Sequence, residues 1–109
     1  MYAQLATTTH LLAIYSSLSI LNTTVTGQTQ NVLAKIDNLL AQAGTSKSNL
    51  LTASIWLKDI ERDFGTMNDI WTAWLDPANK PVRATTQAPM ATPKILVEIQ
   101  VTAAAGEEK

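Results

Sequence analysis

The stretch Lys80-Pro-Val-Arg-Ala-Thr-Thr-Gln-Ala-Pro-Met-Ala-Thr-Pro-Lys-Ile-Leu-Val-Glu-Ile-Gln-Val-Thr102 decides the fold of this chain. It holds two runs of alternating apolar and polar residues, separated by a segment containing Pro89 and Pro93. Period-2 alternation over about 6–8 residues is the pattern of a half-buried strand. In the first run Val82, Ala84, Thr86 and Ala88 share one face, and Arg83, Thr85 and Gln87 share the other. In the second, Ile95, Val97, Ile99 and Val101 oppose Leu96, Glu98 and Gln100. An antiparallel hairpin turning between Pro89 and Pro93 is the expected pairing. It puts Arg83 and Glu98 on one face, opposite or diagonal to each other. A guanidinium and a carboxylate held there on rigid strands suit a small-anion site.

Upstream, Val32, Ile36, Leu39, Leu40 and Ala43 recur at helical spacing and predict a helix over 28–43, with Gly44 as its stop. The preceding Val25 to Gln30 reads as polar and turn-like, and Ser46 and Ser48 mark a following loop. Leu51, Ala53, Ile55 and Leu57 alternate with Thr52, Ser54 and Trp56, which predicts a strand. Phe64, Met67, Trp71 and Trp74 form the apolar stripe of a second helix, with Asp63 as its N-cap and Asp76-Pro77 as its end. Residues 10–21 read as one or two strands, and 103–109 as a loose tail. Two helices suffice to cover one face of a single sheet. The expectation is an α+β two-layer domain over 1–109 whose second sheet face packs on a neighbour.

Composition narrows the function classes. The 109 residues are 46% hydrophobic and 16% charged, with a net charge of −1. Such a chain builds a core and leaves a weakly charged surface, a hint of self-association. Its eight basic residues are scattered singly, whereas nucleic-acid binding needs clustered cations. The absence of cysteine excludes disulfides, thiolate metal sites and a cysteine nucleophile. The apolar Leu11 to Leu21 is broken by serines and is too short to cross a bilayer, which predicts no membrane association and a cytoplasmic setting. His10 is the only histidine, and no phosphate loop, Gly-x-Gly-x-x-Gly or Gly-x-Ser-x-Gly is present. Nothing in these motifs asks for a metal or cofactor.

Arg83 is the leading candidate, because an arginine fork holds a small carboxylate bidentately. Its ordinary alternative is a solvated strand arginine. Glu98, in a run otherwise nearly free of charge, is paired, a site residue, or on an exposed edge. Asn68, one position off the helical stripe, is a ligand contact or a surface asparagine. Trp71 and Trp74 read as core anchors, and Trp56, on its strand's polar face, as an interface anchor.

The segments Gln28-Thr-Gln-Asn-Val-Leu-Ala-Lys-Ile-Asp37, Ala41-Gln-Ala-Gly44, Phe64-Gly-Thr-Met-Asn68, Pro81-Val-Arg83-Ala and Val97-Glu98-Ile99 together resemble the RidA/YjgF family, also labelled L-PSP endoribonuclease. The resemblance runs from Gly27 to Ala103, and the interval from Arg83 to Glu98 equals the family's. It implies a chorismate-mutase-like homotrimer whose ligand clefts lie between subunits. Arg83 falls on the family arginine that grips the carboxylate of a 2-imino or 2-enamino acid, and Glu98 on the glutamate near the attacking water. Asn68 belongs to the same region, and Thr85 stands where many members carry cysteine. Members also carry a Ser-Gly-Gln-like wall after the second strand. Here Ile14 to Ile20 holds no glycine, which leaves the backbone of Ser16 or Ser17 to replace it.

The implied reaction is cofactor-free hydrolysis of a 2-imino acid to a 2-keto acid and ammonia. Two alternatives stand beside it: a non-catalytic trimer that binds small carboxylic acids in the same clefts, and a ribonuclease, which the dispersed charge disfavours.

Overall fold

The computed structural model describes residues 3–7, 11–16 and 23–104. Strands β1 (Ala3–Thr7) and β2 (Leu11–Ser16) precede helix α1 (Val25–Gln42), and a short turn at Lys47–Asn49 leads into β3 (Leu50–Leu57). Helix α2 (Ile60–Trp74), β4 (Val82–Gln87) and β5 (Val97–Ala104) follow. They form one mixed sheet in the order β1-β2-β5-β3-β4.

The expected hairpin does not form. β4 pairs in parallel with β3, and β5 pairs antiparallel with β3 on its other side. The two alternating runs are therefore separated by a strand. Helix α2 makes the connection that a parallel β3–β4 pair requires, and β4 is left at the sheet's edge.

Residues Val25 to Gln30, read as a turn, are the opening of α1. The hydroxyl of Thr24 accepts from the Gly27 N–H at 3.1 Å and caps the helix further upstream than the apolar stripe implied. Its other end follows expectation. Gly44 takes φ +76°, and Thr45 and Gly44 donate back to Leu40 and Ala41 carbonyls at 3.0 Å. Helix α2 likewise starts earlier than expected. Asp59, not Asp63, caps it by accepting from Arg62 N–H at 3.1 Å. Asp63 lies buried inside the first turn, ion-paired with Arg62 at 3.0 Å.

Val32, Leu33, Ile36 and Leu40 of α1 and Met67 and Trp71 of α2 pack on Ala53, Ile55, Leu57, Val97, Ile99, Val101 and Ala103. Each such aliphatic side chain contributes roughly 1.5–3 kcal/mol by leaving water. A register shift between Leu50 and Thr52 turns Leu50 inward and leaves Leu51 44% exposed, against the expected alternation. Ala103, expected in a loose tail, is fully buried in β5. Thr52, Ser54 and Trp56 lie on the other face of the sheet, away from the two described helices.

Candidate functional site

The helix-covered face of β4 carries Arg83 and Thr85, in register with Ala53 and Ile55 of β3. Ala53 is small and α2 only partly overhangs the edge strand, so a long side chain fits there half-buried. Phe64 and Asn68 stand one helical turn apart on α2 and flank it. Asn68 Oδ1 accepts from Arg83 Nη1 at 2.7 Å, and the guanidinium carbon lies 5.6 Å from the Phe64 ring centre. Among the described residues the guanidinium has no carboxylate partner. Burial draws its pKa down from the usual arginine value, yet it stays cationic. The Phe64 ring, expected in the core stripe, is 37% exposed and turned toward this cation.

Thr85 lies two residues along the same face, about 7 Å farther on. Its Oγ1 is buried with no hydrogen-bond partner among the described residues. A buried hydroxyl without a partner costs about 1–3 kcal/mol, a deficit that a bound ligand atom relieves. The site thus joins a cation, an aromatic face and an unmet hydroxyl. That set suits a small carboxylate with a second polar atom.

Glu98 is elsewhere. It pairs in register with Trp56, and Trp56 with Thr86, which places it on the uncovered face. Trp56, Ala88, Pro89 and Glu98 line a cavity of about 360 Å³. Burial pushes the Glu98 carboxyl above its ordinary pKa. Arg83 aligns with Ala53 and Glu98 with Trp56. Three residue rises along β3 and two strand spacings across it put their α-carbons about 14 Å apart, on opposite faces. The shared face expected for this pair is therefore corrected. The cause is the insertion of β3, which the alternation of either run does not reveal.

Ser16 ends β2, aligned with Ile99 on β5, and Ser17 lies outside the described residues. His10 does too. Among the described residues no group of three or more His, Asp or Glu side chains is placed to hold a metal ion, and no helix is long and apolar enough to cross a membrane.

The sequence model of the endoribonuclease L-PSP family matches residues 5–105. The chain belongs to that family. The RutC family protein YoaB of Escherichia coli is 47% identical to this L-PSP chain over 77 residues, 71% of this chain and 67% of its own length. A YjgF family member from Neisseria meningitidis superposes with a TM-score of 0.89 at 33% identity, covering 99% of this chain and 89% of that one. YyfA of Yersinia pestis, a Rid family protein of unknown function, superposes at 0.85 with 27% identity, covering 95% and 87%. The RidA/YjgF resemblance is thereby established. So is the α+β, chorismate-mutase-like arrangement of two helices on a mixed sheet.

Phe64 and Pro89 are not among the sequence candidates, and Trp56 is named there only as an interface anchor. The Phe64/Asn68 spacing is the one signal that singles out Phe64, since it faces the aromatic ring and the amide the same way on a helix. Trp56 and Pro89 come together only through the sheet order.

Proposed function

We propose that this L-PSP family chain hydrolyses small 2-imino acids to 2-keto acids and ammonia, in clefts between identical subunits of a cytoplasmic trimer. Water adds to the imine carbon, the carbinolamine C–N bond breaks, and the proton passed to nitrogen lets ammonia leave. Arg83 holds the substrate carboxylate bidentately, with Phe64 and Asn68 fixing its orientation. The Thr85 hydroxyl receives a hydrogen bond from the substrate. Glu98 of the partner subunit positions and deprotonates the water, for which a carboxyl with a raised pKa is suited. Such imines already decay in water, so the barrier reduction needed is small on the enzyme scale.

The observation that carries this reading is the half-buried guanidinium with no carboxylate partner among the described residues, beside an unmet hydroxyl. The test is a coupled assay in which an amino-acid oxidase generates 2-iminobutyrate in place. Wild type should speed its decay, and Arg83→Ala should not. Equal decay with both variants would end the proposal.

A second reading follows from the separation of Arg83 and Glu98 across the sheet. A copy lacking a neighbour's carboxylate binds a carboxylic acid without turning it over. Saturable 2-ketobutyrate binding with no rate effect would favour that binder. A ribonuclease is disfavoured by the net charge of −1 and the dispersed cations. RNA cleavage surviving Arg83→Ala would restore it.

A further inference from the structure

The apolar stripe of α1 runs through Val32, Ile36 and Leu40, and one turn upstream it reaches Gln28, which is 0% exposed. A glutamine at a position whose period asks for an aliphatic residue carries a desolvation cost of about 1–3 kcal/mol unless its amide is fully bonded. Here both ends of the amide are engaged. Nε2 donates to the Lys94 carbonyl at 2.9 Å, and Oε1 accepts from the Leu96 N–H at 2.8 Å. The side chain thus takes the hydrogen-bonding place of a neighbouring strand along one edge of residues 94–96.

Lys58 holds the same segment. Its backbone N–H donates to the Leu96 carbonyl at 3.0 Å, and its Nζ donates to the Pro93 carbonyl at 2.8 Å. Within the segment, Ile95 N–H donates to the Thr92 carbonyl at 3.2 Å. The run before β5 is therefore held by Gln28 and Lys58 together. Glu98 follows Leu96 by two residues, and Pro89, at the other end of the same connection, lines the Glu98 cavity.

We propose that Gln28 is a positioning residue, acting with Lys58 through the backbone of residues 94–96 to fix where the Glu98 carboxylate meets the substrate water. This rests on the imine-hydrolysis reading. A displacement of about 1 Å in a catalytic group is enough to cost up to a hundredfold in rate, and a clamp two residues away controls displacements on that scale. Arg83, on another strand and the other face, does not depend on this clamp.

Gln28→Met keeps the length of the side chain and removes both hydrogen bonds. Its kcat for 2-iminobutyrate should fall about tenfold or more, with KM and 2-ketobutyrate affinity within about threefold of wild type. A folded Gln28→Met with unchanged kcat overturns the proposal. So does one that loses kcat and ligand affinity together, since that marks a general structural role. If Gln28→Met does not fold, Lys58→Met removes the solvent-side bond alone. It should lower kcat about threefold at constant KM, and no change in kcat overturns the proposal. If wild type itself leaves imine decay unaltered, the hydrolysis reading is what has failed. Hydrogen exchange at the Leu96 amide then reads the clamp: exchange at least about tenfold faster in Gln28→Met supports it, and unchanged exchange removes it.

Discussion

Arg83 donates through Nη1 to Asn68 Oδ1 at 2.7 Å, so the strand cation is aimed by a neutral amide on the helix above it. A neutral partner orients a guanidinium without cancelling its charge, and the cation stays available to an anion. Aspartate at position 68 would reverse that. Asn68→Asp should raise KM for an imino acid by at least about tenfold, since the new carboxylate competes for the fork. Asn68→Ala should raise it about fivefold, matching one lost hydrogen bond of about 1 kcal/mol. Steady-state kinetics and 2-ketobutyrate titration read both. Wild-type affinity in Asn68→Asp would remove Arg83 from the ligand site.

Thr85→Val keeps shape and deletes the unpartnered hydroxyl. Thermal unfolding should rise by a few degrees, because a polar atom leaves a buried place without losing a bond. KM should rise about fivefold if the hydroxyl meets the substrate. A variant less stable than wild type would mean that Oγ1 is satisfied in solution.

Burial raises the Glu98 pKa above its ordinary carboxyl value. A carboxyl whose folded pKa exceeds its unfolded one binds its proton more tightly in the native state. Its stabilising contribution is complete below the unfolded pKa and is lost as pH rises through the folded one. Urea midpoints of wild type minus those of Glu98→Gln should therefore decline across that window, starting near the ordinary carboxyl pKa. A difference that is flat or rises with pH would contradict the burial.

The sheet face away from the two described helices carries Val82 at 71% exposure and, beside it, Ala84. Ala84→Arg places a charge on the surface proposed for assembly, and sedimentation should show smaller species and loss of imine turnover together. A variant that sediments as wild type does would move the interface elsewhere.

Most elements are readable because helix and strand periods are local, although β1 (Ala3–Thr7) lies ahead of the 10–21 stretch in which the N-terminal strands are expected. The stripe Val32, Ile36, Leu40 and the alternation Ala53, Ile55, Leu57 each follow from side-chain direction alone. Strand order is not local. Nothing in Arg83 to Gln87 or Val97 to Val101 says that β3 lies between them, so the faces on which Arg83 and Glu98 stand are not legible in either run. Asp63 was misread as a cap because its buried pairing with Arg62 has no periodic signature. The role of Gln28 depends on a contact 66 residues away.

A sheet that sends Arg83 to one side and Glu98 to the other allows two dead proteins to make a live one. Arg83→Ala still brings a good carboxylate, and Glu98→Gln still brings a good cation. Unfolded together at equal amounts and refolded, they should regain activity, with about a quarter of the clefts in a randomly mixed ring restored. Each variant refolded alone stays silent. In a molecule that built its chemistry within single chains, this cross-rescue would be impossible.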